Sequence, residues 1–334
     1  MKALVTGGGG FLGRYIVEKL RARGDAVRVL GRSRYPELER LGVEVVRADV
    51  RDRAAVISAC HGMDVAFHAA ALPALWGRWT DFYSINVEGT RNVLAACLAN
   101  GVPRLVYTST PSVVFDQSDL CNVDETCAYP ARYNCYYPWT KAIAEREVIE
   151  ANGTHGLLTT ALRPHLVWGP RDNHLIPRLL QRAKARKLFI VGDGSNKVDI
   201  TYVDNAADAH LGAADHLTPG SPVAGQTYFI SQGEPVVLWM FVNQLLERLG
   251  MPKVTRAISY GAARSIGAVL ELAYGVLGLR GEPRMTRFLA AQLARSHYFD
   301  TSRARRDFGY SSRVTTAEGL ERLVSFIRAG VARL

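Results

Sequence analysis

The chain has 334 residues, of which 48% are hydrophobic and 22% are charged, a composition typical of a globular protein with a sizeable core. Its five cysteines are an odd number with no Cys-x-x-Cys pair, so we predict neither a disulfide framework nor a metal site, and a reducing, cytoplasmic location. The formal net charge is +10, but no nucleic-acid-binding motif accompanies it, so nucleic acid is not an expected partner.

Strands and helices alternate over the first half of the chain. Short apolar runs predict strands, and apolar residues at helical spacing predict the helices between them. The predicted strands are 2–7, 26–30, 43–49, 64–69, 104–108 and 157–162, and the clearest helices are 11–23 and 137–152. This alternation predicts an α/β fold of the Rossmann type, with a doubly wound parallel sheet and the cofactor site in residues 1–165.

Beyond about residue 165 the alternation breaks down into loops, short strands and helices. We therefore predict a smaller, interwoven substrate-binding lobe in residues 166–334, with amphipathic C-terminal helices and with some later segments returning to the first domain. In this lobe, residues 265–279 carry an apolar stripe of Ile266, Val269, Leu270, Ala273, Val276 and Leu277. The stripe predicts a core-facing or dimer-facing helix, and a substrate lid or an interfacial helix is the alternative.

A basic region surrounds this apolar segment. Residues 251–310 hold ten Lys or Arg and four Asp or Glu. Such a region is either an ordinary solvated surface or a site that attracts an anionic substrate, an acidic partner protein or an anionic membrane. Contact with a pathway enzyme or with a membrane surface is therefore one expectation for this region, and a homodimer is another for the chain.

A glycine-rich segment lies between the first predicted strand and the first helix. Gly7, Gly10 and Gly13 fit G-x-x-G-x-x-G, whereas Gly8, Gly10 and Gly13 fit G-x-G-x-x-G. In either register, residues without side chains let backbone N–H groups approach a pyrophosphate at the N-terminus of a helix. The position predicts a dinucleotide site that includes Phe11 and Leu12 at the start of that helix.

The second predicted strand is followed by Gly31-Arg32-Ser33-Arg34 and by no acidic residue. An Asp or Glu there would bind the ribose hydroxyls of NAD, whereas a guanidinium and a hydroxyl suit the 2′-phosphate of NADPH. The sequence therefore predicts NADPH as the preferred cofactor, bound by Arg32 and Ser33, with NAD as the alternative. Asp49, at the end of the third strand, is placed to reach the adenine amino group.

A tyrosine and a lysine are spaced four residues apart in the helix after the fifth strand. Tyr137 and Lys141 therefore lie on one helical face, where the ammonium group favours ionisation of the phenol. Hydroxyl groups at Thr108, Ser109 and Thr110 follow the preceding strand, at the carboxyl edge of the sheet where α/β folds bind ligands.

With these residues the chain resembles the extended short-chain dehydrogenase/reductase superfamily, and more narrowly its 3β-hydroxysteroid dehydrogenase-like branch. The matching motifs are Ala48-Asp49-Val50, His68-Ala69-Ala70-Ala71, Asn86-Val87-Glu88-Gly89-Thr90, Arg163-Pro164-His165 and Tyr202-Val203-Asp204-Asn205. The resemblance implies an NAD(P)-dependent oxidoreductase whose catalytic residues are Thr110, Tyr137 and Lys141. It also implies that the cofactor contacts Val50, Ala69, Ala71, Pro164 and His165.

One position of the catalytic set departs from the family pattern. The strand reads Thr-Ser-Ser in related proteins, with the last serine catalytic, and this chain has Thr110 there. Threonine keeps the hydroxyl group, and Ser109 or Ser112 remain alternatives. The implied roles are a hydrogen bond from Thr110 to the substrate oxygen, proton transfer by Tyr137, and a cation at Lys141 that lowers the tyrosine pKa and holds the nicotinamide ribose.

The expected substrate is apolar. The loop after the fourth strand contains Trp76, Trp79 and Phe82, which suit a lipid-like ligand unless they simply pack in the core. Stretches 111–116, 129–133 and 163–174 are similar to the bacterial 2-alkyl-3-oxoalkanoate reductases of long-chain olefin biosynthesis. This resemblance implies NADPH-dependent reduction of a β-keto acid to the 2-alkyl-3-hydroxyalkanoate.

Three other functions stay open at this stage. One is NAD-dependent oxidation of a 3β-hydroxysteroid or a sterol-4α-carboxylate, and a second is a sugar-nucleotide epimerase or dehydratase activity. A third is a cofactor-binding regulatory or scaffold protein without turnover. The presence of Thr110, Tyr137 and Lys141 argues against the third.

Overall fold

A computed structural model of the protein describes residues 1–330, so the last four residues of the predicted lobe lie outside the described residues. The strands are β1 Lys2–Thr6, β2 Ala26–Gly31, β3 Glu44–Arg47, β4 Val65–His68, β5 Arg104–Thr108, β6 Leu120–Val123, β7 Leu158–Pro164, β8 Val167–Trp168, β9 Ile190–Val191, β10 Lys197–Val198, β11 Thr201–Tyr202, β12 Gln226–Ile230, β13 Val236–Val237, β14 Ala257–Ile258 and β15 His297–Phe299. The α-helices are α1 Phe11–Ala22, α2 Pro36–Glu39, α3 Arg53–Cys60, α4 Trp79–Phe82, α5 Gly89–Asn100, α6 Tyr136–Glu150, α7 Leu175–Lys184, α8 Val203–His216, α9 Leu238–Arg248, α10 Tyr260–Leu277, α11 Arg287–Ala294, α12 Ser302–Phe308 and α13 Thr316–Arg328.

Seven parallel strands form the central sheet, in the order β12-β7-β5-β4-β1-β2-β3. The predicted Rossmann-type parallel sheet is therefore confirmed. The chain runs outward from β1 through β2 to β3 and then returns to place β4 on the other side of β1. At such a reversal the loops after two neighbouring strands diverge and leave a crevice at the carboxyl edge, which here lies between β1 and β4.

The edge strand β12 was not predicted from the sequence. It comes from the part of the chain assigned to the second lobe and pairs in parallel with β7, from Gln226 beside Thr160 to Ile230 beside Pro164. The remaining short strands form smaller sheets outside the central one, including the order β13-β10-β15-β6.

Helices cover both faces of the central sheet. One apolar cluster joins the sheet to α1 and α8, and a second joins the opposite face to α3, α5 and α6. A third cluster, with Trp168 and Trp239 fully or nearly buried, is formed by residues from the second half of the chain. Over residues 1–330, we find no helix with the length and apolar character needed to cross a membrane.

Helix α10 contradicts the prediction of a core-facing stripe. Ile266, Val269, Val276 and Leu277 are exposed, whereas Ala263, Gly267 and Glu271 are buried. The small residues explain the orientation, since a Cβ atom at Gly267 would lie 2.6 Å from the backbone carbon of Thr286. The helix thus packs through its small residues and turns its large aliphatic side chains outward.

Candidate active site

The glycine turn between β1 and α1 has no room for side chains. Gly7 has a left-handed backbone (φ +70°), and a Cβ atom there would lie 2.8 Å from the backbone nitrogen of Ala70. A Cβ atom at Gly13 would lie 2.2 Å from the carbonyl oxygen of Gly7, and the N–H of Gly10 donates to that same oxygen at 2.8 Å. The N–H groups of Phe11 and Leu12 open the helix without intrahelical acceptors, so this cradle fits a dinucleotide pyrophosphate.

Arg32 and Arg47 come together beside the end of β2. Arg32 and Ser33 are exposed there, and the Arg47 Nε donates to the carbonyl oxygen of Arg32 at 3.2 Å. Arg47 was missed by the sequence reasoning, although it ends the next strand and stands in register with Gly31. These groups fit a cofactor phosphate because Arg presents several fixed donors to its oxygens.

Asp49 and Val50 lie at the loop after β3. The Asp49 carboxylate accepts from the Arg51 side chain at 2.8 and 3.0 Å, and this pairing holds the pKa of Asp49 below its usual range. Val50 is buried, and its side chain would lie 2.8 Å from a Cβ atom at Gly89. Asp49 is thus partnered by a guanidinium, and its expected contact with adenine remains a prediction.

The loop after β4 is tied both to the glycine turn and to the catalytic helix. Ala69 donates its N–H to the Thr6 carbonyl at 3.2 Å, and Ala71 is half-buried. The buried side chain of Asn86, in the π-helix Tyr83–Glu88 after α4, accepts from the Leu72 N–H at 2.8 Å and donates to the Thr140 hydroxyl at 3.0 Å. Asn86 therefore links the loop after β4 to α6.

Tyr137 and Thr110 come together at the carboxyl edge of the sheet. Burial raises the pKa of Tyr137 to about 12, contrary to the expected lowering by Lys141, and the adjacent Thr110 side chain partly offsets the rise. Thr110 is extended and accepts the Ser112 N–H at 3.2 Å, which turns the chain into the 3-10 helix Pro111–Val114. Ser109, the other candidate hydroxyl on this strand end, lies instead beside the Glu145 carboxylate.

Lys141 is a buried cation one turn after Tyr137. Only 2% of the residue is exposed, its Nζ donates to the Thr108 carbonyl at 2.6 Å, and the Tyr107 ring centroid lies 4.0 Å away. Burial lowers the pKa of Lys141 to about 7, although the negative charge of Glu145 opposes the change. An ammonium group donates three hydrogen bonds, so Lys141 keeps donors for a ribose hydroxyl.

A buried ion pair lies one further turn along the same face. Glu145 accepts from Arg163 at 2.7 and 2.9 Å and from the Tyr129 hydroxyl at 2.6 Å. Burial alone would raise the pKa of Glu145, but Arg163 and these hydrogen bonds lower it below its usual range. Sequence reasoning missed Glu145, although the spacing of Tyr137, Lys141 and Glu145 at i, i+4 and i+8 could have indicated it.

Pro164 ends β7, and His165 follows it at the carboxyl edge of the sheet. His165 Nε2 lies 2.6 Å from His297 Nδ1, and His297 Nε2 lies 2.9 Å from the Gln292 carbonyl. Burial lowers the pKa of both rings, and a carbonyl can only accept, so His297 carries its proton on Nε2 and accepts from His165 at Nδ1. The remaining nitrogen of His165, Nδ1, is therefore a hydrogen-bond acceptor.

Of the three aromatic residues that follow β4, one is fully buried and two are half-buried. Phe82 is fully buried against Tyr136 and belongs to the core, and the Trp79 ring lies 4.5 Å from Trp139. Trp76 contacts Tyr274 of α10, with ring centroids 6.4 Å apart.

Tyr137 packs against an apolar cluster, as do the half-buried Leu75, Tyr133 and Tyr260. The buried members of this cluster are Val113, Val114, Phe115, Leu120, Cys135, Ala142, Phe229, Phe288, Ala291 and Phe299. These side chains come from several elements that are distant along the chain, so no local sequence pattern identifies them.

This geometry is that of a reductase or dehydrogenase, and the similarity to known proteins agrees with it. Residues 4–259 match the model of the 3-beta hydroxysteroid dehydrogenase/isomerase family. The chain belongs to this family. It is an extended short-chain dehydrogenase/reductase and therefore an oxidoreductase that uses a nicotinamide dinucleotide.

Two family relatives cover almost the whole chain. A 2-alkyl-3-oxoalkanoate reductase of Stenotrophomonas maltophilia is 50% identical over 97% of this chain and 98% of its own length. A protein of the same name from Shewanella oneidensis is 46% identical over 96% of this chain and 85% of its own length. Both names support a reductase role.

The solved structure of MoeE5 in complex with UDP-glucose and NAD has the same fold. It superimposes with a TM-score of 0.76 at 26% identity, over 99% of this chain and all of that one. The fold that this chain shares with MoeE5 is therefore one that binds a nicotinamide dinucleotide.

Proposed function

We propose that this protein reduces a 2-alkyl-3-oxoalkanoate, a β-keto acid with two long alkyl chains, to the 2-alkyl-3-hydroxyalkanoate with NADPH, in long-chain olefin biosynthesis. The observation that carries the proposal is the grouping of Thr110, Tyr137 and Lys141 next to an apolar cluster. The name and near-complete coverage of the 50% identical relative support the choice of substrate.

The chemistry of the site favours the reductive direction. When bound, the nicotinamide supplies a hydride to the 3-oxo carbon. Tyr137 donates its proton to the substrate oxygen, and its raised pKa of about 12 keeps the phenol protonated at neutral pH. Thr110 donates a hydrogen bond to the same oxygen, and Lys141 stabilises the phenolate that forms.

The preference for NADPH rests on charge at the end of β2. Arg32 and Arg47 lie next to one another, and no acid follows β2 to bind the ribose hydroxyls. A 2′-phosphate would pair with these guanidinium groups, whereas NADH has an uncharged hydroxyl at that position.

The apolar surroundings of Tyr137 favour a lipid-like substrate over a sugar nucleotide. A sugar nucleotide needs polar partners for several hydroxyl groups, because unpaired polar groups in a closed site cost free energy. Leu75, Tyr133 and Tyr260, which pack against the same cluster and are only half-buried, offer aliphatic chains a compatible surface. The same surface suits a sterol, so NAD-linked oxidation of a 3β-hydroxysteroid or sterol-4α-carboxylate is the second candidate, supported by the family to which the chain belongs.

The test is an initial-rate assay of cofactor oxidation with a synthetic 2-alkyl-3-oxoalkanoate, with NADPH and NADH compared at equal concentration. The matching hydroxy acid with NADP, and a 3β-hydroxysteroid with NAD, are assayed in the reverse direction. We expect turnover of the β-keto acid and faster rates with NADPH. Turnover of the steroid alone, with NAD, would overturn both the substrate and the cofactor proposed here.

A further inference from the structure

Helix α10 exposes a continuous aliphatic face. Val269, Leu272 and Val276 are 67 to 74% exposed, and Ile266 and Leu277 extend the same stripe at its two ends. Their spacing of three and four residues places them on one side of the helix over three turns. A single exposed leucine needs no explanation, but a contiguous apolar stripe marks a surface that is covered in use.

The helix holds this face rigidly. Ser259 caps its N-terminus by accepting the Ala262 N–H at 3.2 Å, and Gly278 ends it in a left-handed conformation. On the opposite side, buried Glu271 accepts from the Arg287 N–H at 2.7 Å and from the Arg287 side chain at 2.6 Å. The exposed stripe is therefore part of a fixed helix anchored to the following segment.

Positive charge borders the apolar face at both ends. Arg264 precedes the stripe, and Arg280 and Arg284 follow it; all three are exposed, and within residues 1–330 none is in an ion pair. Arg182 of α7 adds a fourth guanidinium, since it donates to the Arg284 carbonyl at 3.1 Å. Aliphatic residues flanked by arginines are the composition of a helix that lies in the interface of an anionic bilayer.

We propose that α10 docks the protein on the surface of an anionic lipid bilayer, with Val269, Leu272 and Val276 among the acyl chains and the flanking arginines at the headgroups. A second copy of the chain fits this face poorly, because symmetric pairing through α10 would bring the arginines of both copies together. A protein partner is also disfavoured, because valine and leucine rarely carry the binding energy of protein interfaces.

The docking helix is linked to the catalytic side of the molecule. Tyr274 of α10 contacts Trp76, and Glu282 just beyond the helix accepts from the Leu75 N–H at 3.4 Å. Leu75 packs against the same apolar cluster as Tyr137. On the proposed function, which this step assumes, α10 brings a membrane-dissolved alkyl substrate to the loop that leads to Tyr137.

The test is co-sedimentation of the full chain with phosphatidylcholine vesicles that contain about a third phosphatidylglycerol, and with vesicles of phosphatidylcholine alone. We expect binding to the anionic vesicles that weakens as salt is raised to roughly 0.5 M, where the Debye length falls below about 5 Å. The triple variant Val269→Ser, Leu272→Ser and Val276→Ser is expected to bind at least about tenfold more weakly, because each substitution removes apolar area from the bilayer contact.

The matched control changes three exposed apolar residues elsewhere to serine, Leu41, Phe189 and Met240. This control variant should bind like the wild type, and both variants should keep the wild-type circular dichroism spectrum. Equal loss in both variants, or no wild-type binding at low salt, would overturn the proposal. A wild-type dimer that the α10 variant converts to a monomer, without vesicle binding, would assign the face to a second copy instead.

The binding assay is independent of the substrate. Vesicle binding without turnover of a β-keto acid would leave the docking proposal intact and reject the proposed function. Turnover of a short-chain, water-soluble β-keto acid without vesicle binding would reject the docking proposal and leave the proposed reductase function intact.

Discussion

In most proteins charged side chains are exposed and large aliphatic side chains are buried. The carboxyl edge of the central sheet and helix α10 depart from this pattern in opposite ways. At the sheet edge, Lys141, Glu145 and Arg163 are buried, whereas on α10 Leu272 and Val276 are exposed. The buried charges have partners at hydrogen-bond distance, so the cost of desolvating them is offset within the chain. The exposed aliphatic residues have no such partner within residues 1–330, so whatever offsets their exposure lies outside the described structure. Buried charges thus indicate a site whose binding partners all lie within the chain. Exposed aliphatic side chains indicate a surface whose partner lies outside it.

The largest expected effect comes from Tyr137→Phe. Loss of the phenolic proton should lower kcat by about 10²- to 10⁴-fold, the usual contribution of general acid catalysis. Cofactor affinity, measured by fluorescence titration, should change little. The neighbouring Tyr136→Phe is the control, since Tyr136 is exposed and should keep near wild-type activity. Equal rates in the two variants would remove Tyr137 from the mechanism.

The buried pair of Glu145 and Arg163 can be compared with the surface pair of Glu147 and Arg91, because both glutamates lie on α6. Glu145→Gln leaves Arg163 buried without a counter-charge, and we expect it to lower the free energy of unfolding by about 3–5 kcal/mol. Glu147→Gln breaks the pair with Arg91, which is 2.6 Å long but partly solvated, and should cost less than about 1 kcal/mol. Urea unfolding of both variants measures the difference, and similar values would show that burial does not strengthen the Glu145 pair.

The cofactor preference should depend on the two arginines beside β2. The double variant Arg32→Ala and Arg47→Ala should raise KM for NADPH by about tenfold, since two charge-assisted contacts to the 2′-phosphate are lost. KM for NADH should stay within about twofold, because NADH lacks that phosphate. An equal rise in KM for NADPH and NADH would mean that the two arginines stabilise the loop and do not bind the 2′-phosphate.

The smallest effect concerns Lys141 and pH. Its pKa of about 7 lies below the usual lysine value of 10.5, so between these values the unfolded chain binds more protons and the folded state gains stability as pH rises. Lys141→Met should remove this pH dependence, which contributes up to about 1.4 kcal/mol per pH unit to the free energy of unfolding. Urea unfolding at pH 7.5 and 9.5 measures the slope. The exposed Lys184→Met is the control, and a slope that is unchanged in Lys141→Met would contradict the low pKa.

Local patterns were sufficient to predict the sheet and much of the candidate site. Apolar runs and helical spacing predicted six strands of the central sheet because each pattern lies within one element. The glycine turn could be predicted for the same reason, since steric limits at Gly7 and Gly13 arise within a few residues. Tyr137 and Lys141 were found because a spacing of four residues on one helix fixes their relative position.

Contacts between distant segments could be decided only by the tertiary structure. The edge strand β12, the approach of Arg47 to Arg32, and the buried pair of Glu145 and Arg163 all join residues that no sequence period connects. The same is true of α10, where the apolar stripe predicted burial but the small residues Ala263 and Gly267 permit closer packing and take the inner face. The sequence by itself determined which residues share a face of each element. Only the folded chain decided which of those faces is covered, because covering a face depends on segments that are remote along the sequence.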